Sequence, residues 1–244
     1  MKILVCISHV PDTTTKIAFD ESQTVLINNN IQYIINPYDE LALSKAVDLI
    51  ASIPDSTVTV LTVGDASTEP TIRKALAIGA TQAVRIDTAP KDAWQVAHEI
   101  ANYAKEQQFD LILTGRESID YNGGQVAAIV AELLHLPSIA LAKSLTITDQ
   151  KASIAREIEG GKEILEISLP IVVSVAEGIA EAKIPNMRGI MSARSKPLDI
   201  RPATDTQALV SYSKYEQPNQ KAAAKMLATD QLDELVEFLV SVAK

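Results

Sequence analysis

The chain has 244 residues, 47% of them hydrophobic, and a formal net charge of −9; these allow one large domain or two small ones around a real core and exclude a disordered chain. An aromatic share of 4% and the acidic balance argue against a general nucleic-acid binder, which needs stacking rings and clustered Lys and Arg. The one cysteine, Cys6, cannot close an internal disulfide, "MKILVCISHVPD" lacks the length of a secretory leader, and no apolar run reaches about 18 residues, so the expected compartment is the cytoplasm.

Residues 2–7, "KILVCI", read as a buried strand, and 16–27, "KIAFDESQTVLI", as strand, polar turn and strand. A helix is expected over 36–52, with Asn36 as a cap, Pro37 at its first position, and Asp39 and Glu40 at the positive end of its dipole. Then follow a strand at 57–64, a helix at 69–80, a strand at 82–87, a helix at 92–108, a strand at 110–115 and a helix after Gln125. Strands alternating with helices of this length predict an α/β fold, a parallel sheet flanked by helices on both faces. After Pro137 the rhythm changes. Residues 144–148, 152–159 and 163–169 read as a β-hairpin region or meander, and 170–175 as a strand returning to the main sheet. Residues 182–202 read as a loop with a short helix, 203–228 as an extended arm, and 229–244 as an amphipathic helix. The domain division is 1–200, an α/β nucleotide-binding unit with a loop at 184–198, and 201–244, a C-terminal arm and helix.

In open parallel sheets ligands sit outside the carboxyl ends of the strands. Three segments end strands there: "CISHVPD", "TVGDAS" and "TGRESIDYNGGQ". A helix N-terminus offers free N–H groups and partial positive charge, and glycine lets an anion come close. Asn122, Gly123, Gly124 and Gln125 therefore make a phosphate cradle, with Asp120 and Asn36 near a ribose or base; the same glycine pair also reads as a plain turn. No P-loop follows, and no G-x-G-x-x-G stands after the first strand. Glu117 and Asp120 form an acid pair without a nucleophile or orienting base, so no catalytic residue is assigned. His9, His98 and His135 have no metal-ligand spacing.

With these segments in view, the sequence resembles the β subunit of electron transfer flavoprotein over essentially its whole length. The resemblance is carried by "INPYDELALSKAVDL", "IRKALAIGA", "GRESIDYNGGQVAA" and above all "IAREIEGGKEILEISLPIVVS", with Arg156, Glu159, Gly160, Gly161, Glu163, Leu165 and Pro170 at the family's positions. It implies an adenine-nucleotide α-hydrolase-like fold that buries AMP without hydrolysing it. The AMP contacts would fall on Cys6, on Asn36, Pro37, Tyr38 and Asp39, on Val63, and on Gly115, Arg116, Glu117, Ser118, Ile119, Asp120, Tyr121, Asn122, Gly123, Gly124, Gln125 and Val126. Tyr121, Gly123 and Gly124 depart from the acidic or small polar residues often found in that loop.

The same resemblance implies an α subunit that holds FAD on a mobile domain, with Arg156 and Glu157 near that partner. It also implies a recognition loop at 184–198 that docks acyl-CoA dehydrogenases or other flavin dehydrogenases, with Met187 as anchor and Ile190 and Met191 beside it. Arg188, Arg194 and Lys196 would steer acidic partners. Electrons would pass on to a quinone oxidoreductase or another acceptor. Four alternatives stay open. Met187 and Met191 also read as the core of a short helix, and Arg156 and Glu157 as an ordinary exposed hairpin pair. AMP could be replaced by a second FAD in an electron-bifurcating form. The chain could instead be a stand-alone ATP-binding module of the stress-protein type.

Overall fold

Strand β1 (Lys2–Cys6) is buried on both faces, as its unbroken apolar run demands. Ile3 and Val5 face one side and Leu4 and Cys6 the other, each pair entering its own cluster of buried side chains. The computed structural model describes residues 1–27, 31–219, 221 and 223–242. After β1 the chain makes β2 (His9–Pro11), β3 (Tyr33–Ile35), α1 (Pro37–Ser52), β4 (Thr57–Val63), α2 (Glu69–Ile78), β5 (Gln82–Asp87), α3 (Ala93–Gln107), β6 (Leu111–Gly115) and α4 (Val126–Leu134). Then come β7 (Ser138–Thr148), β8 (Lys151–Ile158), β9 (Gly161–Ser168), β10 (Ile171–Val175), α5 (Met187–Ala193), β11 (Leu198–Pro202) and α6 (Leu232–Val242).

Nine strands form one sheet in the order β11-β5-β4-β1-β6-β10-β7-β8-β9. From β11 to β7 every neighbour is parallel; β8 and β9 add an antiparallel extension. Helices α1 and α2 cover one face and α3 and α4 the other. This is the mixed α/β architecture that the alternation of elements predicts, and 170–175 does return to the main sheet, between β6 and β7.

Four local expectations are corrected. The strand pair expected at 16–27 is only a bridge between Phe19 and Leu26; the antiparallel ribbon pairs β2 with β3 instead. The first hairpin strand begins at Ser138, six residues earlier than its apolar pattern suggests. Residues 198–202, expected as loop, form an edge strand paired with β5, so the boundary drawn at 200 falls inside β11. The C-terminal helix begins at Leu232 and runs to Val242; its expected last residues, 243 and 244, lie outside the described part of the chain.

The arm after β11 lies on its own chain. Buried Glu99 accepts hydrogen bonds from the Thr204 amide (3.0 and 3.1 Å) and hydroxyl (2.7 Å). Asp92, which caps α3, also accepts from the amides of Leu209 (2.6 Å) and Val210 (2.9 Å). Farther on, the ring of Tyr215 stacks on Phe19 at 4.8 Å. Helix α6 differs: none of its residues is buried, and Leu235, Val236, Phe238 and Leu239 stand open.

Candidate functional site

The carboxyl ends of β1, β4 and β6 surround a cavity of about 230 Å³, lined by Cys6, Ser8, His9, Val63, Asp65, Thr114, Arg116, Gly124 and Val126 among others. Its position follows from the parallel sheet, because neighbouring βα loops splay apart at that rim. Asp39, on the first turn of α1, fixes the rim. It accepts from the Ser8 amide through one oxygen and the Gly115 amide through the other, both at 2.8 Å, and so ties the ends of β1 and β6 together. Burial pushes its carboxyl up to about 6 despite those bonds. Burial also pushes the Cys6 thiol well above its ordinary range, with the charge of Asp39 adding to it, which leaves Cys6 an inert wall residue.

Asn36 stands at the N-cap position of α1 but makes no side-chain cap bond, contrary to expectation. Its amide instead donates to the carbonyl of Glu117 (2.8 Å) and accepts from the amide of Ile119 (3.2 Å). It holds the β6–α4 loop in place rather than facing the cavity. Within that loop, the Ser118 amide donates to the Gly123 carbonyl at 3.0 Å and the Ser118 hydroxyl bonds Asp120. Asn122 takes a left-handed conformation, φ 55°. The two glycines have separate reasons. A Cβ on Gly123 would collide with the ring of Tyr121, whereas one on Gly124 would meet only the carbonyl of Arg116, at 3.0 Å. Gly123 thus makes room for a side chain of its own loop.

Helix α4 has no side-chain cap, and its first intrahelical bond from this end is Ile129 N to Gln125 O. The amides of Val126, Ala127 and Ala128 precede that bond, so this end has the donors and dipole for one anion beside Gly124. The guanidinium of Arg116 lies 5.3 Å from the ring centre of Tyr38 and 3.4 Å from Glu117, and its buried Nε has no hydrogen-bond partner. Carboxylates of Asp65, Glu117 and Asp120 line the same cavity. That mixture suits one phosphate with hydroxyl donors nearby; a longer phosphate chain would meet like charge.

Of the residues proposed for the nucleotide, Cys6, Asp39, Val63, Gly115, Arg116, Glu117, Ser118, Asp120, Tyr121, Gly123, Gly124 and Val126 line this cavity. Asn36, Pro37, Tyr38, Ile119, Asn122 and Gln125 are not part of its lining. Sequence reasoning missed Ala89 and Pro90, which follow β5 and close one side. The signal was there: they too follow a strand's carboxyl end. His9 lies at the rim, stacked on Tyr33 at 4.2 Å with its Nδ1 2.7 Å from the Thr71 hydroxyl; burial holds its pKa below the usual value. A second cavity of about 900 Å³ adjoins the first and shares His9, Pro90, Val96, Asp120 and Tyr121 with it, with Tyr33, Tyr212 and Tyr215 also in its lining.

A separate surface lies at α5. Met187 and Met191 are 73% and 69% exposed, with Arg188 and Arg194 open beside them; the buried residue of this helix is Ala193. The reading of both methionines as core is thereby removed. Lys196 does not face outward as a steering charge. Its ammonium donates to the carbonyls of Leu76 (2.8 Å) and Ala80 (2.7 Å) at the end of α2. On the antiparallel extension, Arg156 pairs across strands with Glu163 (2.5 Å) and Glu157 with Lys143 (2.6 Å). No group of three His, Cys, Asp or Glu side chains suited to a metal occurs among the described residues.

A mostly parallel α/β sheet with a cavity at the carboxyl ends of its strands is the ligand-holding arrangement of open α/β folds. The family model of the electron transfer flavoprotein domain matches residues 23–206. The electron transfer flavoprotein subunit beta of Bacillus subtilis is 34% identical, covering 100% of this chain and 99% of its own length. The human protein of the same name is 29% identical, covering 100% and 98%. Subunit CarD of the caffeyl-CoA reductase-Etf complex of Acetobacterium woodii is also 29% identical, with the same coverages. The chain belongs to the electron transfer flavoprotein β-subunit family. No helix among the described residues is long and apolar enough to cross a membrane.

Proposed function

We propose that this chain is the non-hydrolytic half of a heterodimeric, cytoplasmic electron carrier, with AMP in the rim cavity and an α subunit holding most of FAD. When bound, FAD supplies the electron chemistry. The chain's own residues do the rest. The first turn of α4 and Gly124 receive the phosphate, while Asp39 and Asn36 hold the surrounding loops rigid. The exposed face of α5 docks acyl-CoA dehydrogenases or other flavin dehydrogenases, and a quinone oxidoreductase or another acceptor receives the electrons. Helix α6 and the face around Arg156 and Glu157 meet the α subunit.

The observation that carries the reading is the small rim cavity of about 230 Å³, closed by an uncapped helix end and carboxylates. It suits a mononucleotide better than ATP, whose longer phosphate chain would meet the carboxylates of Asp65, Glu117 and Asp120. One observation favours a second reading. The adjoining cavity of about 900 Å³, with its tyrosines, is large enough for the remainder of a dinucleotide, as an electron-bifurcating form with a second FAD requires.

Co-expression with the neighbouring α chain, heat release and chromatography of the nucleotides decide between these. One FAD and one AMP per heterodimer support the carrier, and two FAD the bifurcating form. ATP on this chain alone, without flavin, would refute both. Gly124→Val should empty the rim cavity and weaken assembly. Met187→Ala should slow reduction by the dehydrogenase and leave nucleotide content intact.

A further inference from the structure

Helix α5 has seven residues, too short to hold its shape alone. Yet the segment that bears it is fastened at both ends and in the middle. At its start the Lys183 amide donates to buried Ser44 Oγ at 3.0 Å, and the Lys183 ammonium pairs with Asp48 at 2.7 Å. At its end the Ala83 amide donates to the Pro197 carbonyl, just before β11 joins β5. Between them the contacts with α2 are reciprocal. Arg73 of α2 donates through one nitrogen to the carbonyls of Ala193 (3.0 Å) and Lys196 (3.1 Å), with its fork oriented by Glu69. Lys196 returns two bonds to carbonyls at the carboxyl end of α2, where a cation also meets the negative end of the helix dipole. Gly189 brings the α5 backbone so close to α2 that a Cβ there would collide with the carbonyl of Ala77.

We propose that Arg73, Lys196 and Gly189 act as positioning residues: they lock α5 against α2 so that Met187, Met191, Arg188 and Arg194 meet the electron donor already in place. The inference rests on the docking role given to α5 above. Its physical content is preorganisation. A short helix carrying four flexible side chains would otherwise be ordered at the moment of docking, and that cost would appear as weaker association. The lock acts on donor affinity and leaves electron transfer within the docked complex unchanged. Binding of the nucleotide is untouched, because the rim cavity is lined by other residues.

The test uses the flavin-loaded heterodimer and an acyl-CoA dehydrogenase as donor. Lys196→Met removes the ammonium and keeps the stem; Gly189→Ala pries α5 from α2 without touching the cation. Both should raise the KM for the donor about tenfold with kcat unchanged, and both should speed trypsin cleavage after Arg188 and Arg194. Reduction by dithionite and nucleotide content should match the parent, and Lys196→Arg should restore the parent KM. If Lys196→Met fails to fold, Gly189→Ala decides alone. An unchanged donor KM in Gly189→Ala, while Met187→Ala raises it, overturns the proposal. An unchanged KM in Met187→Ala as well defeats the docking reading from which the proposal starts.

Discussion

The loops at the rim of the sheet and helix α6 differ in how far the chain's own bonds hold them. At the rim, Asp39 and Asn36 satisfy amides and carbonyls from segments that lie far away in sequence, and both side chains are buried. Helix α6 has a full apolar stripe and no buried residue at all. The loops of the rim are held by intramolecular bonds, although the uncapped end of α4 and the Arg116 Nε keep donors there; α6 has an apolar face that its own fold leaves in water, at a cost of roughly 25 cal/mol for each Å² left uncovered. The contrast separates the part of the chain that its own bonds tie down from the part whose apolar face they leave open.

The sharpest way to break that contrast is to end the chain at Gln217, so that the bonded part of the arm stays and α6 goes. The remaining protein should melt where the parent does, while affinity for the α subunit falls about 100-fold or more, since several large apolar side chains are lost from one contact. Calorimetric titration against the α subunit, beside a thermal melt of the free chain, measures both. Unchanged affinity would place the interface elsewhere.

A smaller effect tests the other side. Asp39→Ala leaves the amides of Ser8 and Gly115 without their acceptor and should cost about 3 kcal/mol in urea unfolding. Nucleotide content should fall with it, because the ends of β1 and β6 lose their tie.

The smallest effect is one of pH. Asp39 has a folded pKa raised to about 6 from an ordinary value of 3.8. A group raised on folding contributes its full stability below the unfolded pKa and loses it as pH climbs through the folded one. From this residue alone, the fold should therefore gain about 1 kcal/mol between pH 7 and pH 5. Asp39→Asn should abolish that slope in paired urea titrations, and a carboxyl NMR titration should locate the midpoint near 6.

The βα alternation was legible because its helices are long enough for apolar periodicity to show and its central strands are buried on both faces. What failed to show were elements created by contact. Strands β2 and β3 have three residues each, too few for a period, and they pair across a long loop. Strand β11, "LDIRP", is polar on an exposed edge and exists because β5 lies beside it. Asn36 has the right local context for a cap, but a carbonyl 81 residues away takes its amide. The rim itself was legible from strand ends and a helix start; the division of labour within it was not. Gly123 looked like room for an anion and is room for Tyr121, a relation between neighbours that composition does not reveal.

The sheet's two margins, β9 and β11, bear on how the chain survives before assembly. An open margin is a template on which another copy can add a strand, and amyloid begins that way. Here β9 carries Lys162, Glu163 and Glu166, while β11 carries Asp199 and Arg201 and closes on Pro202, which has no amide to give. A second molecule lying along either border would meet charge or a missing donor, so a freshly made chain can wait for its companion without zippering onto its siblings.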